Sequence, residues 1–153
     1  MGKPRVMQLA SDLPVPGQAG EQPWPGRFTA SAIAGSGTIG QGLAEAVRAR
    51  TTAIVDADRL AGVLRCRVPL PGERVRLLGA AGSRPLRKIL ADRRVAPDVR
   101  TCWPVVADPQ GAVWIAGVGI ADRCRISDAT ERAVLLRWAP PRSVATVLVG
   151  GLG

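Results

Sequence analysis

Two apolar-rich runs, Trp103 to Ala107 and Ala112 to Val118, flank the tetrapeptide Asp108-Pro109-Gln110-Gly111. A short Asp-Pro turn closed by glycine between strand-like segments signals a β-hairpin, which commits this part of the chain to antiparallel pairing. The pattern then continues. Ile120 to Ile126 and Arg132 to Trp138 read as two more strands, split by Ser127-Asp128-Ala129-Thr130, and Pro140-Pro141 ends the last. At 153 residues, 46% of them hydrophobic and 22% charged, the chain is long enough to bury a core. Strands, then helical patterns, then strands predict an α+β fold, with a small mixed or antiparallel sheet and one or two short helices.

The middle of the chain is punctuated just as clearly. Val63 to Val68 alternates apolar and basic residues, Pro69, Pro71 and Gly72 make a turn, and Arg74 to Leu78 alternates again up to Gly79. Ser83 is the expected N-cap, with Pro85 in the first turn, of a helix reaching about Arg94. Leu86, Ile89 and Leu90 form its core-facing stripe, and Arg84, Arg87, Lys88 and Arg94 lie largely off it. Pro97 opens a second helical turn through Cys102. Nearer the N-terminus, Arg27 to Ile33 and Thr51 to Val55 read as strands around a glycine-rich turn (35–42) and a helical pattern from Leu43 to Arg50. Pro4, Pro14, Pro16, Pro23 and Pro25 leave little room for a regular element before that. The expected division is a flexible arm over 1–26, a connecting segment over 27–58, a domain over 59–139 and a tail over 140–153.

With no histidine, the chain carries no Ser-His-Asp or Cys-His catalysis and no His-ligated zinc. Cys66, Cys102 and Cys124 form no C-x-x-C, so they are read as small apolar core residues of a reducing compartment. The first thirty residues lack the apolar stretch of a signal peptide. The apolar run from Val144 to Gly153 is about half a bilayer span. A cytoplasmic location and no membrane partner are expected.

The net charge of +9 is unevenly placed. Residues 1–58 hold five basic and five acidic groups, whereas Arg65 to Arg100 holds ten basic against three acidic. Such a block suits a polyanion, since each neutralised phosphate releases counterions. It also suits a merely solvated surface, because nineteen of the twenty-one cations are arginine in a composition also rich in Ala, Gly and Pro.

Other motifs are weaker. Gly35-Ser36-Gly37-Thr38-Ile39-Gly40 spells G-x-G-x-x-G between a strand and a helix, and a second strand ends in Asp56 and Asp58, where a dinucleotide site places its ribose-binding acid. Only one such unit is present, so a plain loop is the favoured reading, and Asp56 with Asp58 is expected to close a turn before Leu60. Trp103, Trp114 and Trp138 lie in strand patterns and are expected in the core rather than stacked on bases, while Trp24 is uninformative.

One resemblance carries more. Val55-Asp56-Ala57-Asp58-Arg59-Leu60, PGERVRLLG (71–79), GSRPLRKILADRRVAP (82–97), Arg100, Pro104-Val105-Val106 and GAVWIAGVGIADRCRIS (111–127) occur in this order, ending near Arg137-Trp138. This series resembles the C-terminal region of tRNA(Ile)-lysidine synthetase over roughly residues 53–139. The resemblance implies a small α+β module, related to one in phenylalanyl-tRNA synthetase, that holds tRNA. The family attaches lysine to the wobble cytidine of an isoleucine tRNA, using ATP and Mg2+ in a separate catalytic domain with an S-G-G-x-D-S loop. These 153 residues contain no such loop. No catalytic residue, metal ligand or cofactor is therefore expected here, and no ligation by this chain alone. The resemblance implies tRNA as partner, with a separately encoded PP-loop ATPase chain and a second copy of this chain as further candidates and the oligomeric state left open. Departures are Pro69-Leu70 before the Pro-Gly-acid turn, Arg84 to Lys88 where the family has several lysines, and Thr101 or Cys102 in place of a second arginine.

The candidate phosphate contacts are Arg74, Arg76, Arg84, Arg87, Lys88, Arg93, Arg94 and Arg100. Such contacts fix orientation on an RNA without reading its bases. The competing functions are a structural module whose basic face packs on a PP-loop ATPase partner, and a nucleotide-binding loop at 35–40.

Overall fold

The computed structural model describes residues 10–19 and 24–142. The Asp108-to-Gly111 turn closes a hairpin between β8 (Val105–Asp108) and β9 (Gly111–Ile115), with Asp108 opposite Gly111. The preceding elements are β1 (Ala10–Asp12), β2 (Gly17–Ala19), β3 (Arg27–Ala34), α1 (Ser36–Arg48), β4 (Thr52–Asp56), β5 (Arg65–Arg67), β6 (Arg74–Val75), β7 (Arg84–Pro85), α2 (Leu86–Asp92) and α3 (Pro97–Arg100). After the hairpin come β10 (Gly119–Ile120) and β11 (Arg132–Ala139). The fold is α+β. One sheet has the order β1-β5-β8-β9-β10, a second β2-β3-β11-β4, and β6 pairs with β7 as a separate ribbon, every pairing being antiparallel.

Aromatic side chains join the two sheets. Phe28 on β3 meets Trp114 on β9 edge to face at 5.8 Å and stacks on Trp138 of β11 at 6.1 Å. Trp138 meets Trp103 edge to face at 5.6 Å. Such pairs add about 0.5–1.5 kcal/mol each beyond the area they bury. Two buried indole nitrogens are partnered: Trp103 Nε1 donates to the Ala116 carbonyl at 2.8 Å and Trp138 Nε1 to that of Pro25 at 2.9 Å, whereas the buried Trp24 Nε1 has no hydrogen-bond partner among the described residues. Gly26, at φ 89°, passes so close to Trp138 that an added Cβ would lie 2.4 Å from the indole nitrogen. The same core includes Leu86, Ile89 and Leu90, so α2 packs by the stripe its sequence shows. Cys66 and Cys124 are buried in it as free thiols, and burial pushes them up to about 12 and about 11.

Several expectations need correction. The Pro/Gly-rich arm carries β1 and β2, each adding an edge to a sheet, and Trp24 is buried in the core. The segment 27–58 is no connector: β3 and β4 pair with the two edges of β11, so no boundary near residue 58 separates two bodies. Helix α1 begins at Ser36, within the stretch expected as a glycine-rich turn. Ser83 caps nothing, because residues 84–85 pair with β6 and the helix starts at Leu86. The strand expected from Ile120 to Ile126 stops at Ile120 and becomes a 3-10 turn, Asp122–Cys124. Residues 1–9, 20–23 and 143–153, which include parts of the expected arm and tail, lie outside the described residues. Among the described residues no helix is long and apolar enough to cross a membrane.

Candidate nucleic-acid interface

The eight candidate cations fall on the β6–β7 ribbon and just past β6, on α2 and the turn that follows it, and at the end of α3. Val75 is buried while Arg74 and Arg76 on either side are exposed, as strand alternation requires. Arg74 donates from Nε to Ser83 Oγ (3.2 Å) and from Nη2 to the Ser83 carbonyl (3.0 Å). Arg76 donates from Nε to the Ala80 carbonyl (2.9 Å), and its Nη2 lies 4.0 Å from Asp122 Oδ2.

Along α2 the apolar side is buried and the basic side faces solvent. Arg84 is ion-paired with Asp92 at the far end of the helix. That hydrogen bond, with the charges of Arg84 and Lys88, holds the Asp92 carboxyl below the usual carboxylate range. Arg87, Lys88, Arg93 and Arg94 are exposed and form no hydrogen bond or ion pair among the described residues.

The end of α2 is a Schellman motif: the Val95 N–H donates to the Leu90 carbonyl (3.1 Å) and the Arg94 N–H to that of Ala91 (2.9 Å). Arg94 occupies the left-handed position at φ 62°, where glycine is favoured. Arg100 differs from the rest: it is half-buried and donates from Nε to the Val95 carbonyl at 2.7 Å, tying α3 to this turn. The structure thus brings four unpaired cations together on α2 and its cap, sets Arg74 and Arg76 on the adjacent ribbon, and ties Arg84 and Arg100 into the protein.

Other charged groups are structural. Arg67 and Glu73 form a largely buried bidentate pair (2.8 and 2.6 Å), and Glu73 also accepts from the Leu70 N–H (3.0 Å), so the acid of the Pro-Gly-acid turn closes that turn. Asp108 accepts from Arg123 at 2.8 and 3.0 Å and from the N–H groups of Ala61 (2.8 Å) and Gln110 (2.9 Å). Burial works against its charge, but these bonds outweigh it and hold the carboxyl below its ordinary value. Asp56 accepts from the Asp58 N–H (2.9 Å) and from Thr130 Oγ1 (2.7 Å), closing the Ala57–Arg59 turn as expected.

The glycine motif opens α1 between β3 and β4, but β11 lies between those two strands. A dinucleotide crevice needs adjacent parallel strands around the helix start, and here that place is filled. The loop fits no nucleotide on these terms. Sequence reasoning missed Arg123 and Gln110, which share a cleft of about 220 Å3 with Arg74 and Arg76. The Asp-Pro turn signalled the hairpin, but nothing in it marked which ribbon the turn would face.

Residues 63–138 match the sequence profile of the TilS substrate C-terminal domain. That segment belongs to this family. All eight candidate cations fall inside the TilS segment. A tRNA(Ile)-lysidine synthase of Symbiobacterium thermophilum is 38% identical over 81 residues, 53% of this chain and 17% of the relative. The chain therefore spans under a fifth of the curated relative's length. In fold, the chain is similar to a crystal structure of the TilS C-terminal domain (TM-score 0.67, 21% identity, 86% of this chain and 95% of that one). It is also similar to an N-terminal fragment of the phenylalanyl-tRNA synthetase β-subunit from Pyrococcus horikoshii (TM-score 0.58, 15% identity, 82% of this chain and 44% of that one).

Proposed function

We propose that this chain is a tRNA-docking module that supports ATP-dependent attachment of lysine to the wobble cytidine of tRNA(Ile). The observation that carries the reading is the group of unpaired cations, Arg87, Lys88, Arg93 and Arg94, on the outer side and cap of α2 within the TilS segment. Exposed guanidinium and ammonium groups without carboxylate partners keep their donors for phosphate, and phosphate contacts position an RNA rather than read it. Following the resemblance, ATP and Mg2+ are assigned to a PP-loop ATPase partner in the cytoplasm, where the tRNA is held for it.

The test is a titration with total tRNA, and with an unstructured RNA of the same length, at about 50 and about 200 mM salt. Several phosphate contacts should lower the affinity by orders of magnitude between those salts. Preference for tRNA with that slope supports docking. Equal binding of both RNAs reduces the surface to a general polyanion binder. Absence of binding at low salt overturns the reading.

A second reading, docking on the catalytic partner, is favoured by a different surface. A groove of about 280 Å3 between α1, β4 and β10 is lined by Leu43, Val47 and Leu78, with Arg50 and Arg125 also on its wall. Val47 is 81% exposed there. Retention of a PP-loop ATPase chain at a salt that strips RNA would favour this reading.

A further inference from the structure

We propose that the cleft between β6 and the β8–β9 turn is a phosphate-anchoring subsite, with Arg74 and Arg76 as its donors and the 77–83 loop as the scaffold that aims them. The inference rests on the RNA-docking reading and names the atoms by which one phosphate is fixed. The cleft encloses about 220 Å3 and is lined by Arg74, Arg76, Gln110, Gly111, Asp122 and Arg123, among others.

Arg74 and Arg76 lie two residues apart on extended chain, about 6.5 Å along it and on the same side. Each has its Nε–H bound by the protein, through Ser83 Oγ and the Ala80 carbonyl respectively. A guanidinium carries five N–H donors in a fixed fork. Arg74 commits two, adding the Ser83 carbonyl, and Arg76 commits one plus a loose 4.0 Å contact to Asp122. Both therefore keep several η N–H donors while the stem of each fork is held by the loop. This differs from Arg87 and Lys88, which have no hydrogen-bond or ion-pair partner among the described residues to fix a rotamer. Preorganised donors lose less entropy on binding, and the planar fork matches a phosphate in a way an ammonium does not.

The other charges in the cleft are accounted for. Arg123 is committed to the Asp108 carboxylate and to the Gly111 and Ala112 carbonyls (3.1 and 3.2 Å), so it forms a wall rather than a donor. Gln110 accepts from Arg123 through Oε1 at 3.4 Å, which leaves its amide N–H group as a further donor. Asp122 is the acid of the lining. It accepts from the Gly79 N–H (3.4 Å) and lies 3.7 Å from Arg125 and 4.0 Å from Arg76, so cations already surround it.

Two measurements test the assignment. In the first, tRNA affinity is measured for Arg74→Lys with Arg76→Lys and, separately, for Arg87→Lys. A fork-specific site loses about tenfold in the first variant with the salt slope retained, and nothing in the second. Ser83→Ala loses part of that affinity and Ser83→Thr restores it. In the second measurement, inorganic pyrophosphate is added to the wild-type chain and the 15N signals of the arginine Nε–H groups are followed. Those of Arg74 and Arg76 should move ahead of that of Arg87.

Wild-type tRNA affinity in the double lysine variant, or equal movement of all arginine signals, overturns the proposal. Selective movement of Arg74 and Arg76 in a protein that binds no tRNA overturns the RNA reading and leaves a site for a free phosphate ligand. If the double variant loses its native melting transition, the pyrophosphate experiment on the wild-type chain decides.

Discussion

In the two-sheet body Arg123 faces the Asp108 carboxylate and Arg67 faces Glu73, each in bidentate contact with an acid that is itself buried. On α2 and its cap Arg87, Lys88, Arg93 and Arg94 face solvent with no acid in contact among the described residues. The same side-chain chemistry therefore does two jobs. Burial makes an unpaired charge costly, so each of these two arginines is matched with a carboxylate. On α2 and its cap the charge stays unmatched and open to a ligand. A net charge of +9 says nothing about this division, which depends on which acids lie within reach.

The comparison can be broken from either side, starting with the body. Trp138→Ala removes the stack on Phe28, the edge contact with Trp103 and the bond to Pro25, and should cost about 4 kcal/mol in thermal or denaturant unfolding. Asp108→Asn leaves Arg123 without its buried counter-charge and should cost about 3 kcal/mol. It should also flatten the acid limb of the stability–pH curve. The folded Asp108 carboxyl titrates below its unfolded value of about 3.9, so its stabilisation is present above that pH and is lost as the pH falls through the lower, folded value. An unchanged acid limb in the variant would show that other carboxylates control acid unfolding.

On α2, Arg87→Ala with Lys88→Ala should leave stability within about 0.5 kcal/mol. It should weaken tRNA binding about tenfold and reduce the log–log salt slope by about 1–2. A melting shift comparable to that of Asp108→Asn would erase the distinction between the two regions. Arg94→Gly gives the smallest effect and the sharpest one. Relieving the left-handed backbone at φ 62° should raise stability by about 0.5–1 kcal/mol while tRNA affinity falls a few-fold. Opposite signs in the two assays would show that a strained residue is kept for its charge.

Much of the architecture was legible because its signals are local. The Asp108–Gly111 turn, the Leu86/Ile89/Leu90 stripe and the Pro97 helix start each occupy a few consecutive residues, and each appears where the sequence places it. What escaped depends on distant partners. β1 and β2 are three residues each and gain their conformation from β5 and β3, which no local pattern announces. Ser83 has the composition of a cap, but its hydroxyl goes to Arg74 because residues 84–85 pair with β6 first. At the candidate interface the basic residues could be named from sequence. Their pairing state could not, since Asp92 for Arg84 and the Val95 carbonyl for Arg100 are supplied by the fold.

The position of β11 has a consequence for how the chain is made. Strand β11 is the last strand of the described residues, yet it sits between β3 and β4, and Arg27 pairs with Ala139. The Trp138–Pro25 bond spans 113 residues of sequence. On a ribosome, β3 and β4 are therefore synthesised long before the strand that separates them, and each waits with an unpaired edge. Contacts of such long range slow folding and prolong exposure to mispairing. The β6–β7 ribbon and α2 close over short loops, but Leu86, Ile89 and Leu90 pack in the same core as Leu136 and Trp138, so the surface assigned to RNA gains its full support only when β11 arrives.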